Sequence, residues 1–178
     1  MTYKANLGIN PRTVYVSKGG SDDYAGDTEE TAVGTINQAV TLINALMPPP
    51  SVTAPSAIII TGSGIYDELA DIPEGCQVNG SSSTIFASSG NAVQPGEQAL
   101  FFAVSALASD TASTVVRISG KNRVGVTLAA AEVQGDSSFG FHHEPAASDS
   151  AAVIRVGFIG EISPTGNTTA IQVTDGHQ

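Results

Sequence analysis

The feature that most constrains this chain is a change of periodicity between Thr13 and Val40. Residues Thr13 to Ser17 alternate between apolar and polar, which predicts a half-buried strand. A polar loop rich in glycine and aspartate follows, from Lys18 to Glu30. Apolar residues then recur at helical spacing, so we predict one amphipathic helix over roughly Thr35 to Leu46.

The predicted helix has sequence signals at both ends. Gly34 or Thr35 suits the N-cap position, because both residue types are favoured there. Pro48 to Pro50 follows the helix, and proline ends a helix because it lacks the backbone N–H and restricts the residue before it. The apolar face is expected to cap one end of the structure that follows, and its members are Ile36, Ala39, Val40 and Ile43.

The rest of the chain predicts many short strands and no second helix. Its apolar segments are Ala57–Thr61, Thr84–Ala87, Leu100–Val104, Val115–Ile118, Val124–Leu128, Val153–Val156, Phe158–Ile162 and Ala170–Val173. Their spacing is typical of a solenoid whose coils of roughly 20–25 residues hold two or three strands, although a Greek-key sandwich gives similar spacing. The polar segments between them are predicted to be lateral loops: Ser88–Gln98, Ser105–Ser113, Gln134–Ser138 and His142–Ser150.

The composition indicates a single domain of strands and turns. The chain has 178 residues, of which 41% are hydrophobic and 13% charged, so it is too apolar and too weakly charged to be disordered. Its 19 glycines and 9 prolines suit many turns. We divide the chain into an N-terminal arm at 1–12, the strand, acidic loop and helix at 13–50, and the strand-rich remainder at 51–178.

The charge balance excludes some classes of partner. The chain carries 17 acidic against 7 basic residues, a formal net charge of −10. Binding to nucleic acid or to an anionic membrane surface needs clustered Lys and Arg, so neither is expected. No apolar run approaches the ~20 residues that cross a bilayer, so no membrane insertion is expected.

The only cysteine is Cys76, which excludes an intramolecular disulfide. A packed core thiol is the favoured interpretation, and a reactive thiol is the alternative. No signal peptide is recognised at the N-terminus, so synthesis in a cytoplasm is expected.

Two segments of the first quarter carry a motif. Val16 to Gly26 reads Val-Ser-x-x-Gly-Ser-Asp-x-x-x-Gly, and Thr35 to Ala39 reads Thr-Ile-x-x-Ala. Together they resemble the start of the right-handed parallel β-helix of phage tailspikes and polysaccharide lyases. The matching residues are Tyr15, Val16, Ser17, Gly19, Gly20, Ser21, Asp22, Gly26, Thr35, Ile36, Gln38, Ala39 and Val40.

This resemblance implies an all-β fold, a right-handed parallel β-helix with one N-terminal capping helix. It further implies a structural and host-recognition component of a phage tail appendage, a tailspike or tail fibre, that is assembled in the host cytoplasm and becomes part of the virion. The implied partners are two further copies of the chain in a homotrimer, other virion tail proteins and a cell-surface polysaccharide.

The alternative function is a tailspike depolymerase, a glycosidase or lyase that degrades polysaccharide, or a fragment of one. A glycosidase needs two carboxylates about 5–9.5 Å apart. The candidate pairs are Asp67 with Asp71, Glu68 with Glu74, and Asp136 with Glu144. Solvated surface carboxylates are the simpler interpretation of all of them, and the short length favours the structural role.

No cofactor and no metal are expected. The acidic loop at 19–30 lacks the regular spacing of an EF-hand, so a solvated turn is the favoured interpretation. His142, His143 and Glu144 form the most visible polar cluster, but adjacent histidines in a strand point to opposite faces and cannot share a metal there.

Overall fold

The computed structural model describes residues 12–51, 53–87, 91–108, 114–119, 123–134, 139–144, 153–158, 162–165 and 169–173. Over these residues the chain forms thirteen strands and one helix. In chain order the elements are β1 Thr13–Val16, α1 Ile36–Asn44, β2 Ser56–Ile60, β3 Gly64–Asp67, β4 Ala70–Ile72, β5 Cys76–Ala87, β6 Val93–Pro95, β7 Leu100–Ala108, β8 Thr114–Ser119, β9 Arg123–Gln134, β10 Phe139–Glu144, β11 Val153–Phe158, β12 Ile162–Thr165 and β13 Thr169–Val173.

The strands form two sheets, and neighbouring strands in both are parallel. The eight-stranded sheet has the order β1-β2-β5-β7-β9-β11, with β3 also beside β5 and β12 beside β9. The five-stranded sheet has the order β13-β10-β8-β6-β4. Strands that neighbour each other in a sheet are therefore separated by connections that visit other elements, as parallel pairing requires.

Register between strands aligns buried aliphatic residues in columns. Val14 pairs with Ile58, and Ile58 pairs with Val78. Through β7 the same column reaches Val126, and all four side chains are buried. β-Branched side chains pack well on such a surface, so each strand adds one layer to a continuous aliphatic core.

Helix α1 belongs to that core. Ile36, Ala39 and Ile43 are fully buried in the same hydrophobic cluster as the strands, and Val40 is partly buried against it. The helix contacts β1, β2 and β4. Thr35 is the N-cap, as one of the two predicted alternatives, and its side chain accepts a hydrogen bond from the Gln38 N–H at 3.1 Å.

The predicted fold class, an all-β right-handed parallel β-helix with one N-terminal capping helix, is wrong. The structure is mixed, because the helix supplies part of the core that the parallel sheets share, and no solenoid is detected among the described residues. Strands range from 3 to 12 residues, and β3 and β12 pair outside the main strand order, so the chain does not repeat one uniform unit. Short apolar segments separated by turns occur in many parallel arrangements, which is why the sequence did not distinguish them.

The position of most strands agrees with the apolar segments, but four strands were missed, of which β3 and β4 lie between the predicted segments Ala57–Thr61 and Thr84–Ala87. β6 lies inside the segment Ser88–Gln98 and β10 reaches into His142–Ser150, both of which were predicted to be loops. The predicted loop at Ser105–Ser113 begins within β7, and Gln134 is the last residue of β9.

Among the described residues, no helix has the length and the apolar character that a membrane-spanning helix needs.

Two carboxylates fasten the N-terminus of α1, and we call this arrangement the carboxylate clamp. Asp22 accepts from the backbone N–H groups of Gly34 and Thr35 at 2.9 and 3.0 Å, and from the Thr35 hydroxyl at 2.9 Å. Glu68 accepts from the N–H groups of Ile36 and Asn37 at 3.0 and 2.8 Å. The first N–H groups of a helix have no acceptor within the helix, and negative charge is favoured there, so the clamp satisfies both requirements.

The first prediction concerns the buried face of α1. Ile43→Asp places a carboxylate where the native side chain is fully buried, so we expect a loss of several kcal/mol, on the order of 4, in the free energy of unfolding. Thr41→Asp, on the exposed face of the same helix, is the matched control and should change it by less than about 0.5 kcal/mol. Urea denaturation measures both, and equal midpoints for the two variants would contradict the buried position of Ile43.

Candidate binding pocket at the strand starts

Two stacked turns precede strands β5 and β7. In the first, the Cys76 N–H donates to the Pro73 carbonyl at 3.2 Å, and in the second, the Ala99 N–H donates to the Gly96 carbonyl at 3.2 Å. A Cβ atom at Gly96 would lie 2.6 Å from the Ile72 carbonyl oxygen, so only glycine permits this approach. The two turns therefore lie directly against each other.

The two turns place different residues in the same unusual backbone conformation. Gly75 has φ +63° and Gln98 has φ +53°, both in the left-handed region. Glycine adopts this region without cost, whereas a residue with a side chain pays about 1–2 kcal/mol. Gln98 is thus a strained position in the second turn, at the place that glycine occupies in the first.

A pocket of about 300 Å³ opens beside these turns, at the first residues of β2, β5 and β7. The residues that line it include the polar Gln77 and Gln98 and the apolar Pro55 and Leu100. Leu100 is 45% exposed, which is unusual for a leucine that begins an interior strand. None of the lining residues carries a charge.

Ser56 forms part of the pocket wall and is itself 3% exposed. Its hydroxyl has no well-formed hydrogen bond among the described residues. Its polar neighbour is the Cys76 thiol, which is only a weak hydrogen-bonding group. A buried hydroxyl without a full partner is costly. Because side chains alternate along β2 and β5, Ser56 faces the core beside Cys76, on the side of the sheet opposite to Gln77.

Cys76 is a buried thiol and takes the favoured of its two predicted environments. Burial raises its pKa to about 11, and the Ser56 hydroxyl opposes part of that shift. The thiol is therefore neutral at physiological pH and a poor nucleophile. With no charged group in its lining, the pocket suits binding of an uncharged polar ligand and offers no acid or base for catalysis.

The predicted catalytic carboxylates that the structure describes lie in different strands. Asp67 ends β3 in the eight-stranded sheet, whereas Asp71 lies in β4 of the five-stranded sheet, and both are exposed. Glu144 is the last residue of β10, and Asp136 lies outside the described residues. Neither Asp67 nor Asp71 lines the pocket.

The two members of the second predicted pair, Glu68 and Glu74, have different structural roles. Glu68 belongs to the carboxylate clamp, where both of its oxygens accept backbone hydrogen bonds. Glu74 is an exposed residue of the first turn.

Tyr66 lies two residues before Glu68, and its side chain is fully buried. This burial raises the pKa of its phenol, and the negative charge of Glu68 nearby raises it further. Lys18 lies over the Tyr66 ring at 4.2 Å from the centroid.

The polar clusters considered for metal binding have other arrangements. In the acidic loop, Asp27 accepts from the Thr31 hydroxyl at 2.6 Å and Asp22 serves the clamp. His142 and His143 lie in strand β10 and not in a loop. Over the described part of the chain, no group of three or more His, Cys, Asp or Glu side chains could hold a metal ion.

Sequence reasoning did not identify the pocket residues. Gln98 was predicted to end a lateral loop, Ser56 lies just before the predicted segment Ala57–Thr61, and neither residue type carries a distinctive motif. The signal that could have found Gln98 is the pair of Pro-Glu-Gly and Pro-Gly-Glu sequences, which shortly precede β5 and β7. Two turns of this kind before parallel strands lie at the same edge of a sheet.

The comparisons with known proteins add no family assignment. The chain matches no family model, no curated protein and no solved structure.

The second prediction compares the stability lost on removing a carboxylate that accepts backbone hydrogen bonds with that lost on removing an exposed one. Glu68→Ala removes the acceptors of the Ile36 and Asn37 N–H groups, so the free energy of unfolding should fall by about 1–2 kcal/mol. Asp71→Ala removes an exposed carboxylate and should change it by less than about 0.5 kcal/mol. Thermal and urea unfolding measure both, and an Asp71 effect as large as that of Glu68 would remove the distinction.

The third prediction concerns the pH dependence that Cys76 imposes. Its folded-state pKa of about 11 lies above the ordinary value of 9.0, so the neutral thiol favours folding below about pH 9. That contribution is lost as the pH rises from about 9 through 11, by on the order of 2 kcal/mol.

The comparison that isolates this effect is wild type against Cys76→Ala. Other groups titrate equally in both proteins, so only the difference in their unfolding free energies reports on the thiol. That difference should be constant at neutral pH and shift in favour of Cys76→Ala above about pH 9. A constant difference up to pH 11 would show that the thiol is not buried as described.

Proposed function

We propose that the protein is a structural and host-recognition component of a phage tail appendage, a tailspike or tail fibre, that presents its surface to a cell-surface glycan. The observation that carries this proposal is the strand–loop–helix unit at 13–44, in which the residues of the tailspike-like motif have defined structural roles. The motif residue Asp22 is half of the carboxylate clamp. At Gly20 a Cβ atom would collide with the Ala32 carbonyl, so the motif glycine is required.

Further motif residues support the same proposal. The Ser17 N–H donates to the Val33 carbonyl at 2.9 Å, and the Ser17 hydroxyl accepts from the Gly19 N–H at 3.3 Å. Thr35 is the N-cap and Ile36 begins the buried face of α1. The motif thus specifies how a strand, an acidic loop and a helix are joined, which is a structural task.

The architecture suits a stiff part of a larger assembly. Parallel strands in register connect the first described strand, β1, to β11 through one continuous hydrogen-bonded sheet. Among the described residues, β13 and β11 lie at the ends of their sheet orders, where backbone groups remain for pairing or covering. We propose that these ends meet other copies of the chain in a homotrimer, or other tail proteins of the virion.

A binding role is favoured over catalysis by the distribution of the carboxylates. The candidates Asp67 and Asp71 lie on different sheets, and the residues that line the pocket at the strand starts include no carboxylate, histidine or lysine. A glycosidase needs paired carboxylates facing a groove. Degradation of polysaccharide is therefore kept as an outcome of the experiment.

The fourth prediction tests this function. Fluorescently labelled protein is applied to an array of bacterial capsular polysaccharides and lipopolysaccharides, and the same glycans are assayed for new reducing ends and unsaturated products. We expect retention on at least one glycan with no product released. Released product would establish the depolymerase instead, and absence of binding to every glycan would overturn host recognition.

The oligomeric state is measured on the same preparation. Light scattering during size-exclusion chromatography should give the mass of three chains, each of 18.0 kDa. A monomer at micromolar concentration would contradict the proposed assembly while leaving glycan binding to be decided by the array.

A further inference from the structure

We propose that the pocket at the starts of β2, β5 and β7 binds a single uncharged sugar residue, with Gln77 and Gln98 as its polar contacts. This inference rests on the proposed function and deepens it, since it gives glycan recognition a site and a ligand class. The pairing of β5 with β7 brings these two residues together from segments that are distant in sequence.

The size of the pocket limits the ligand to one ring. Its volume of about 300 Å³ lies at the lower end of the range of about 300–1,000 Å³ for small-molecule sites. An extended oligosaccharide would have to continue over the surface outside it.

The polar groups match the hydroxyls of a sugar. Each glutamine amide offers an acceptor oxygen and two donor hydrogens, so it can bond to two neighbouring hydroxyls in either sense.

The apolar surface and the charge of the pocket lining restrict the chemical class of the ligand further. Leu100 and Pro55 present exposed apolar surface, which suits the C–H face of a sugar ring. No lining residue is charged, and the chain as a whole has a formal net charge of −10. The guanidinium of Arg12 lies behind the lining and donates to the Pro55 and Pro48 carbonyls at 3.1 and 2.8 Å. An anionic sugar would therefore be desolvated without a lining side chain to pair with it, so the site favours a neutral one.

The backbone of Gln98 gives an independent reason to assign a function here. The first turn has a glycine, Gly75, in the left-handed conformation, whereas the second turn has a glutamine in that conformation, with φ +53°. A strained residue at the wall of a pocket is typical of a functional position, because the strain is retained only where the side chain is useful. In this turn the useful part is the amide that lines the pocket.

The test uses Gln98→Gly, which removes the amide and relieves the backbone strain together. The variant should unfold at the same temperature as wild type or higher, so a loss of binding cannot be attributed to misfolding. Gln94→Ala, in β6 of the other sheet and outside the pocket lining, is the matched control. Gln77→Ala, at an exposed lining residue, is a second pocket variant.

Binding is measured by saturation-transfer NMR with glucose, galactose, N-acetylglucosamine, rhamnose and the charged control glucuronate. We expect at least one neutral sugar to bind, Gln98→Gly to weaken it by about tenfold or more, corresponding to about 1.4 kcal/mol, and Gln94→Ala to leave it unchanged. Equal binding to Gln98→Gly, preferential binding of glucuronate, or no binding of any sugar would overturn the assignment.

The glycan array distinguishes this inference from the function on which it rests. If Gln98→Gly loses monosaccharide binding but wild type still binds an array glycan, both stand. If Gln98→Gly binds the array glycan as tightly as wild type does, the protein recognises glycan elsewhere and only the pocket assignment falls. If wild type binds no array glycan and no monosaccharide, both fall.

Discussion

The structure depends on how the N-terminus of its single described helix is held. Asp22 in the acidic loop and Glu68 after β3 accept hydrogen bonds from four successive backbone N–H groups, Gly34 to Asn37. These groups would otherwise have to remain in water, because a helix cannot satisfy its own first turn. The clamp therefore allows α1 to lie against β1, β2 and β4 and to complete the aliphatic core with Ile36, Ala39 and Ile43.

The pocket follows from the same parallel arrangement at another place in the structure. Parallel strands that start in register bring their preceding turns together, and here the Gly75 N–H donates to the Glu97 carbonyl at 2.9 Å between two such turns. The turns leave a recess whose wall contains Ser56 and the strained Gln98. A stable stack of strands thus creates a binding surface from residues that have no motif of their own.

The sequence predicted what local chemistry decides. Thr35 was one of two N-cap candidates because its side chain acts on its own helix, and most strands were located because β-branched residues cluster in them. β6 was missed because Val93–Pro95 is only three residues and contains a proline, and β10 because it ends in three polar residues. Glu68 acts on an N–H group 32 residues away, and the pocket needs three strand starts, so neither was visible in any local pattern. The β-helix prediction failed because the apolar spacing is shared by different parallel arrangements.

Amide hydrogen exchange at Ile36 tests the clamp most directly. The N–H groups in the first turn of an ordinary exposed helix exchange with solvent rapidly, because they lack an acceptor. Here the Ile36 N–H donates to Glu68 at 3.0 Å and its side chain is fully buried. NMR-detected exchange should therefore show an Ile36 amide protected to the same degree as the amides of β2, whereas exchange at the rate of an unstructured chain would contradict the account.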